Sequence, residues 1–153
     1  MTTQQLEAAK ADTVIETTPC QTTASQTAPH VSVVIIGRNE GERLRACLQS
    51  VHQADWSGLN HDVWYVDSRS TDTSVGVASE AGAHVLVLQD PAPCAAKARN
   101  LGWRQARGGL ILFLDGDTQL AAGFVQQAVQ ALQDPRLCAA WGHRRESAPQ
   151  QSI

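Results

Sequence analysis

The chain has 153 residues, 42% of them hydrophobic and 18% charged, with a formal net charge of -3. That length suits one domain with a substantial core, and the mildly acidic balance excludes a protein whose affinity comes from neutralising nucleic-acid phosphates. No apolar run approaches the roughly 18 residues of a membrane span, no basic and apolar leader opens the chain, and Cys20, Cys47, Cys94 and Cys138 form no Cys-x-x-Cys pair. The expectation is a globular protein with free thiols, suited to the reducing cytoplasm, with no transmembrane segment and no structural zinc.

The first thirty residues hold eight Thr and four Gln and no aromatic residue. Such a stretch cannot bury enough apolar surface to offset its ordering entropy, so residues 1–29 are expected to be a disordered lead. A short helix over 5–11 would be marginal alone. The domain is expected over 30–146, and 147–153 reads as a polar tail.

From His30 onward strand and helix signals alternate. Val31-Ser-Val-Val-Ile-Ile36 is a β-branched run of the kind buried on both faces of a sheet. Asn39-Glu-Gly-Glu42 has the spacing of a capping box, and Leu44, Cys47, Leu48 and Val51 give the following helix a buried stripe. A second strand is predicted over 62–66, with Ser70-Thr-Asp72 capping a helix through Ala81 that Gly82 ends. The third strand is predicted over 84–88, a basic helix over 95–106, and the fourth strand over 110–114. A last helix over 122–133 would turn Phe124, Ala128, Ala131 and Leu132 inward, and 137–141 would form a fifth strand. This order predicts an α/β fold, a Rossmann-like, mostly parallel sheet with helices on both faces. Ligands of such sheets bind beyond the carboxyl ends of the strands.

The chemistry-bearing residues fall at those ends. Asp115-Gly-Asp117 follows strand four. Two carboxylates so close are costly in a cleft unless a hard divalent cation shares them with a phosphate; the plain alternative is a solvated turn in which Asp117 caps the next helix. Gly116 removes a side chain where a ligand would approach the backbone. Asp67, at the end of strand two, can accept hydrogen bonds from a base or ribose, whereas Asp72 is better explained by the helix it precedes. Asn39 could face the same crevice or simply cap a helix. Arg99 or Lys97 could reach a diphosphate, while Arg104 and Arg107 read as a solvated face. The histidines carry no evident role, and Trp56, Trp64, Trp103 and Trp141 read as packing residues.

Taken in order, Val31-Ser-Val-Val-Ile-Ile-Gly-Arg-Asn-Glu40, Val66-Asp-Ser-Arg-Ser-Thr-Asp72, Ala98-Arg-Asn-Leu-Gly102, Ile111-Leu-Phe-Leu-Asp-Gly-Asp117 and Asp134-Pro-Arg136 with Trp141-Gly142 resemble the nucleotide-sugar-binding half of family 2 glycosyltransferases. The resemblance implies a GT-A fold, incomplete at its C-terminus, and a nucleoside diphosphate sugar as ligand. It implies that Asp67 recognises base or ribose and that Arg99 and Asn100 lie near the donor. Asp115 and Asp117 would be the Asp-x-Asp motif, with Asp117 on Mn²⁺ or Mg²⁺ and Asp115 on ribose or a metal-bound water. Ser68 and Arg69 depart from the commoner Asp and Gly of the family. The acceptor site and catalytic carboxylate of such enzymes have no counterpart here, which implies a missing C-terminal half or a partner chain, and inactivity alone. The alternatives are a non-catalytic nucleotide-sugar-binding fragment, and a phosphatase of the haloacid-dehalogenase type. The phosphatase fits poorly, because Thr118 follows Asp117 directly and the Asp pair follows the fourth strand rather than the first.

Overall fold

The computed structural model describes residues 28–146, so the lead over 1–27, with its short helix, and the tail over 147–153 lie outside the described residues. Strands and helices alternate strictly: β1 (His30–Gly37), α1 (Gly41–His52), β2 (Asn60–Asp67), α2 (Ser74–Glu80), β3 (His84–Val87), α3 (Ala95–Trp103), β4 (Leu110–Asp115) and α4 (Phe124–Ala131). The strands form one parallel sheet in the order β3-β2-β1-β4. The chain therefore winds outward from β1 through β2 to β3, then returns to place β4 on the other side of β1. That reversal makes a switch point, and a crevice, between the carboxyl ends of β1 and β4.

Alternation along β1 builds both halves of the core. Val33 and Ile35 face one side, where Leu44, Cys47, Leu48 and Val51 of α1 meet Val77 and Ala78 of α2, with Val63, Tyr65 and Leu114 from the flanking strands. The predicted stripe of α1 is this set. Val34 and Ile36 face the other side, where they meet Val66, Leu88 and Ala98, with Trp64, Leu86 and Leu101 at the margin. Helix α3 lies so close on this face that a Cβ at Gly102 would overlap Val34 of β1 and come within 3.0 Å of Val66 of β2. Glycine is needed there for helix–strand approach. Among the described residues no helix is long and apolar enough to cross a membrane.

Four expectations are corrected. No strand forms over 137–141: Leu137 is 48% and Trp141 86% exposed, and the segment carries no β-branched residue to favour pairing. Just beyond the segment, a Cβ at Gly142 would lie 3.1 Å from the Phe124 ring of α4. The buried residue of α4 is Val125, while Ala131 is exposed. The helix offers apolar side chains on more than one face, and polar contacts fix its rotation: Gln126 Nε2 donates to the carbonyls of Asp55 and Ser57 at 3.2 and 3.0 Å. Trp56 and Trp64 pack at the core margins, but Trp103 and Trp141 are exposed. The capping box at α1 does not form. Its N-cap is Glu40 and makes no side-chain cap, because Asn39 is used elsewhere and Glu42 pairs with Arg45 at 3.2 Å.

At the amino ends of the strands, a polar cluster ties β1, β2 and the α3–β4 loop together. The buried Ser32 hydroxyl accepts from the backbone N–H groups of Arg107 and Gly108 at 3.1 and 3.0 Å. Asp62 accepts from Trp64 Nε1 at 2.8 Å and lies 3.1 Å from His30 Nε2. Burial raises the Asp62 carboxyl, but hydrogen bonds from Ser32, Trp64 and His30 outweigh it and hold the group below its ordinary range. A depressed carboxylate contributes stability that is present above its unfolded value, about pH 4, and lost as pH falls through the folded value. Urea unfolding of wild-type and Asp62→Asn proteins should therefore differ most near neutral pH and converge below about pH 4. A difference that persists unchanged into acid would contradict this linkage.

Candidate functional site

Register brings the site together. Gly37 of β1 aligns with Asp67 of β2, and Ile36 of β1 aligns with Asp115 of β4. Beyond the strands, Ser68 N–H donates to the Gly37 carbonyl at 2.9 Å and Gly116 N–H donates to the Ile36 carbonyl at 2.8 Å. Both loops that carry candidate residues are thus hung from the end of the buried central strand. A Cβ at Gly116 would lie 3.2 Å from the Ile36 carbonyl and 3.1 Å from Glu40 Cγ. Contact with the protein itself therefore explains this glycine.

The β1–α1 and β2–α2 loops are clamped to each other by side chains. Asn39, at φ 56, accepts from Thr71 N–H at 2.8 Å through Oδ1, and its own N–H donates to Ser70 Oγ at 2.8 Å. The fully buried Ser74 hydroxyl accepts from Glu40 N–H and Gly41 N–H, both at 3.0 Å, and donates to Asp72 Oδ1 at 2.6 Å. The first amides of α1 are therefore satisfied by a serine 33 and 34 residues away, a form of capping that no local motif reveals. Asp72 stays structural: its Oδ1 also accepts from Ser74 N–H at 3.0 Å.

Asp67 lies beneath this clamp at 1% exposure. Its Oδ1 accepts from the Tyr65 hydroxyl at 3.1 Å and its Oδ2 from Ser70 N–H at 2.7 Å. These bonds close the tight turn over Ser68 and Arg69. Arg69 caps the turn at φ 65, a left-handed conformation that costs an L-residue about 1–2 kcal/mol.

On the other side of the switch point, Asp115 forms an ion pair with Arg99 of α3 at 2.5 Å. Asn100, one residue on, accepts from Trp103 Nε1 at 3.2 Å. Lys97 is committed elsewhere, to Asp90 at 2.8 Å and the Ala92 carbonyl at 2.9 Å. Arg104 and Arg107 are exposed, as expected.

Sequence reasoning passed over Glu40 as a site side chain. Its Cγ lies 2.9 Å from where a Gly37 Cβ would be and 3.1 Å from where a Gly116 Cβ would be, so the side chain lies across the floor of the crevice. Burial raises its carboxyl above the ordinary range; Arg43 opposes this, and the charges of Asp117 and Asp72 add to it. Its Oε2 is 2.9 Å from the Arg43 guanidinium but in no hydrogen bond. The signal available in the sequence was the pair of glycines, Gly37 and Gly116, which clear space for one side chain. The same negative field, with burial as the larger cause, pushes the Cys47 thiol up to about 12, so this cysteine is no nucleophile.

The donor set is one of carboxylate oxygens. Among the described residues no group of three or more His, Cys, Asp or Glu could enclose a metal ion. The two carboxylates Asp115 and Asp117 are oxygen donors of the kind a hard divalent cation takes. Replacing Arg69 by glycine should relieve the left-handed strain and raise stability by about 0.5–1 kcal/mol, read by urea denaturation. A loss of stability would mean that the arginine side chain holds the turn.

The profile of Glycosyl transferase family 2 matches residues 32–150. A glycosyltransferase from Haloferax volcanii, AglE, is 28% identical over 112 residues, covering 71% of this chain and 37% of the relative. The uncharacterized glycosyltransferase YibD of Escherichia coli is 32% identical over 93 residues, covering 59% and 26%. Among solved structures, the mannosyltransferase PcManGT from Pyrobaculum calidifontis, in complex with GDP-Man and Mn²⁺, superposes with a TM-score of 0.60 at 25% identity, covering 70% of this chain and 33% of that one. The chain thus spans about a third of the length of these proteins, and its sheet is the GT-A-like part of them. With a family match across most of the described residues and the carboxylates gathered at the switch point of a parallel sheet, this chain belongs to glycosyl transferase family 2.

Proposed function

We propose that this chain binds a nucleoside diphosphate sugar, with a divalent cation, in the crevice at the carboxyl ends of β1, β2 and β4. The observation that carries the reading is the register that sets Asp67 beside Gly37 and Asp115 beside Ile36, with Asp117 two residues on. Asp117, with Asp115, would hold Mn²⁺ or Mg²⁺. Bound there, such an ion supplies charge neutralisation at a diphosphate. Arg99 already rests against Asp115, from which its guanidinium can turn to a phosphate oxygen through charge-assisted hydrogen bonds. Asn100 lies on the same turn of α3 and would line the donor's path. Asp67 keeps lone pairs beyond those given to Tyr65 and Ser70, and these serve base or ribose once the turn over Ser68 and Arg69 yields. Asn39 acts by fixing that turn against the β1–α1 loop. The similarity to a mannosyltransferase solved with GDP-Man and Mn²⁺ supports the ligand class.

The complete reaction would be inverting transfer of the sugar to an acceptor hydroxyl. That step needs a base to take the hydroxyl proton, and we assign none among the described residues. Glu40 is held by Arg43 over the crevice floor, Asp67 is enclosed, and Asp115 and Asp117 are taken by the donor. A non-catalytic nucleotide-sugar-binding module is the second reading, favoured by the lack of an assignable general base among the described residues.

Calorimetric titration with UDP- and GDP-sugars should give binding that requires Mn²⁺. Asp117→Ala or chelation should weaken it at least tenfold, about 1.4 kcal/mol, and Asp67→Asn should weaken it without abolishing the metal dependence. Equal binding after chelation would overturn the role of the Asp pair. Radiolabelled transfer by the chain alone should fall below that of a complete relative by more than the factor of about 10²–10⁴ that a general base supplies. Robust transfer to a defined acceptor would require a base within residues 30–146.

A further inference from the structure

The turn after β2 places an arginine where the backbone asks for glycine. Arg69 sits at φ 65, in the left-handed region that strains an L-residue and that glycine enters freely. The residues on either side pin it there. Ser68 N–H donates to the Gly37 carbonyl at 2.9 Å, Ser70 N–H donates to Asp67 Oδ2 at 2.7 Å, and Ser70 Oγ accepts from Asn39 N–H at 2.8 Å. Within the chain nothing offsets the strain. Arg69 is exposed, and among the described residues no hydrogen bond or ion pair engages its guanidinium. By contrast Arg43, Arg99 and Lys97 are each paired with a carboxylate. Strain that surrounding bonds maintain, at a side chain with no internal contact, points to a ligand.

Sheet order says which part of the ligand that is. β1 separates β2 from β4, so the end of β2 lies two strand spacings, about 10 Å, from the Asp115-Gly-Asp117 turn. With a diphosphate at that turn, ribose and base extend toward β2 and Arg69. Asp67 can only accept hydrogen bonds, and both its oxygens are engaged, by Tyr65 and Ser70. Arg69 can only donate, and it is unengaged. A guanidinium beside a planar base donates to carbonyl oxygens, in one bond to O4 of uracil or two to O6 and N7 of guanine. Adenine and cytosine present an amino group at the corresponding position, donor against donor. We infer that Arg69 selects the nucleobase, donating to the carbonyl oxygen of uracil or guanine and rejecting the amino bases. The inference rests on the site reading above and adds its specificity.

Calorimetric titration of the full chain in Mn²⁺ with UDP, GDP, CDP, ADP and pyrophosphate tests it. UDP or GDP should bind about fivefold or more tighter than CDP and ADP, the scale of one well-formed base contact. Preference for GDP marks the two-bond contact, and preference for UDP the single bond. Arg69→Asn removes the guanidinium but keeps a residue that tolerates the left-handed turn. It should weaken the preferred nucleotide by a similar factor, leave CDP, ADP and pyrophosphate unchanged, and so erase the preference. Arg69→Gly should show the same loss while unfolding at higher urea, which separates contact with the ligand from support of the fold. A preference that survives Arg69→Asn would overturn the inference, as would a wild type that binds all four nucleotides alike. So would a loss shared equally by the four nucleotides and pyrophosphate, which would mark a phosphate contact instead. Nucleotide binding that the Arg69 variants leave untouched refutes only this inference, whereas a wild type that binds no nucleotide in Mn²⁺ refutes the site reading.

Discussion

Burial of β1 on both faces is the constraint on which the structure depends. Val33, Val34 and Ile35 have no exposed surface, which is attainable only when strands flank β1 on both sides and helices cover the sheet above and below. Parallel neighbours then end at one level, and the polar groups that cannot enter the core collect where β1 stops. Gly37, Asp67 and Asp115 lie there because register puts them there. The crevice is a consequence of how the central strand is enclosed.

What happens beyond that level is decided by hydrogen bonds between loops. The β1–α1 and β2–α2 loops are each too short to form a rigid surface alone. Asn39 and Ser74 bond them into one. The stabilisation is modest per bond, about 1 kcal/mol each, but it fixes two non-glycine residues, Asn39 and Arg69, in the left-handed region. Strain held by surrounding bonds is characteristic of positions where geometry matters more than local preference. Asparagine tolerates that conformation well; arginine does not, and a glycine would.

The charge balance of the crevice follows from the same geometry. Carboxylates from three loops converge, and Arg43 and Arg99 each answer one of them. Glu40 shows the cost of the arrangement, since burial and its acidic neighbours push its carboxyl up despite Arg43. A ligand that brings a cation would relieve that field, and one that brings phosphate alone would add to it.

The sequence by itself determined the strand–helix alternation, the parallel sheet, the stripe of α1 and the Asp-x-Asp motif after the fourth strand. Each of these is written in local periodicity, in β-branched runs, or in residues only one or two positions apart, and short-range sterics and side-chain alternation read directly from spacing. The tertiary structure alone decided the strand order and the switch point, the capping of α1 by Ser74, the place of Glu40 over the crevice floor, and the pairing of Arg99 with Asp115. It also decided which face of α4 is buried, and that 137–141 stays exposed instead of extending the sheet. These depend on partners far apart in the chain, such as Arg99 and Asp115, 16 residues apart, and Gln126 and Asp55, 71 apart, and no pattern of neighbouring residues encodes a contact whose other half lies on a different loop.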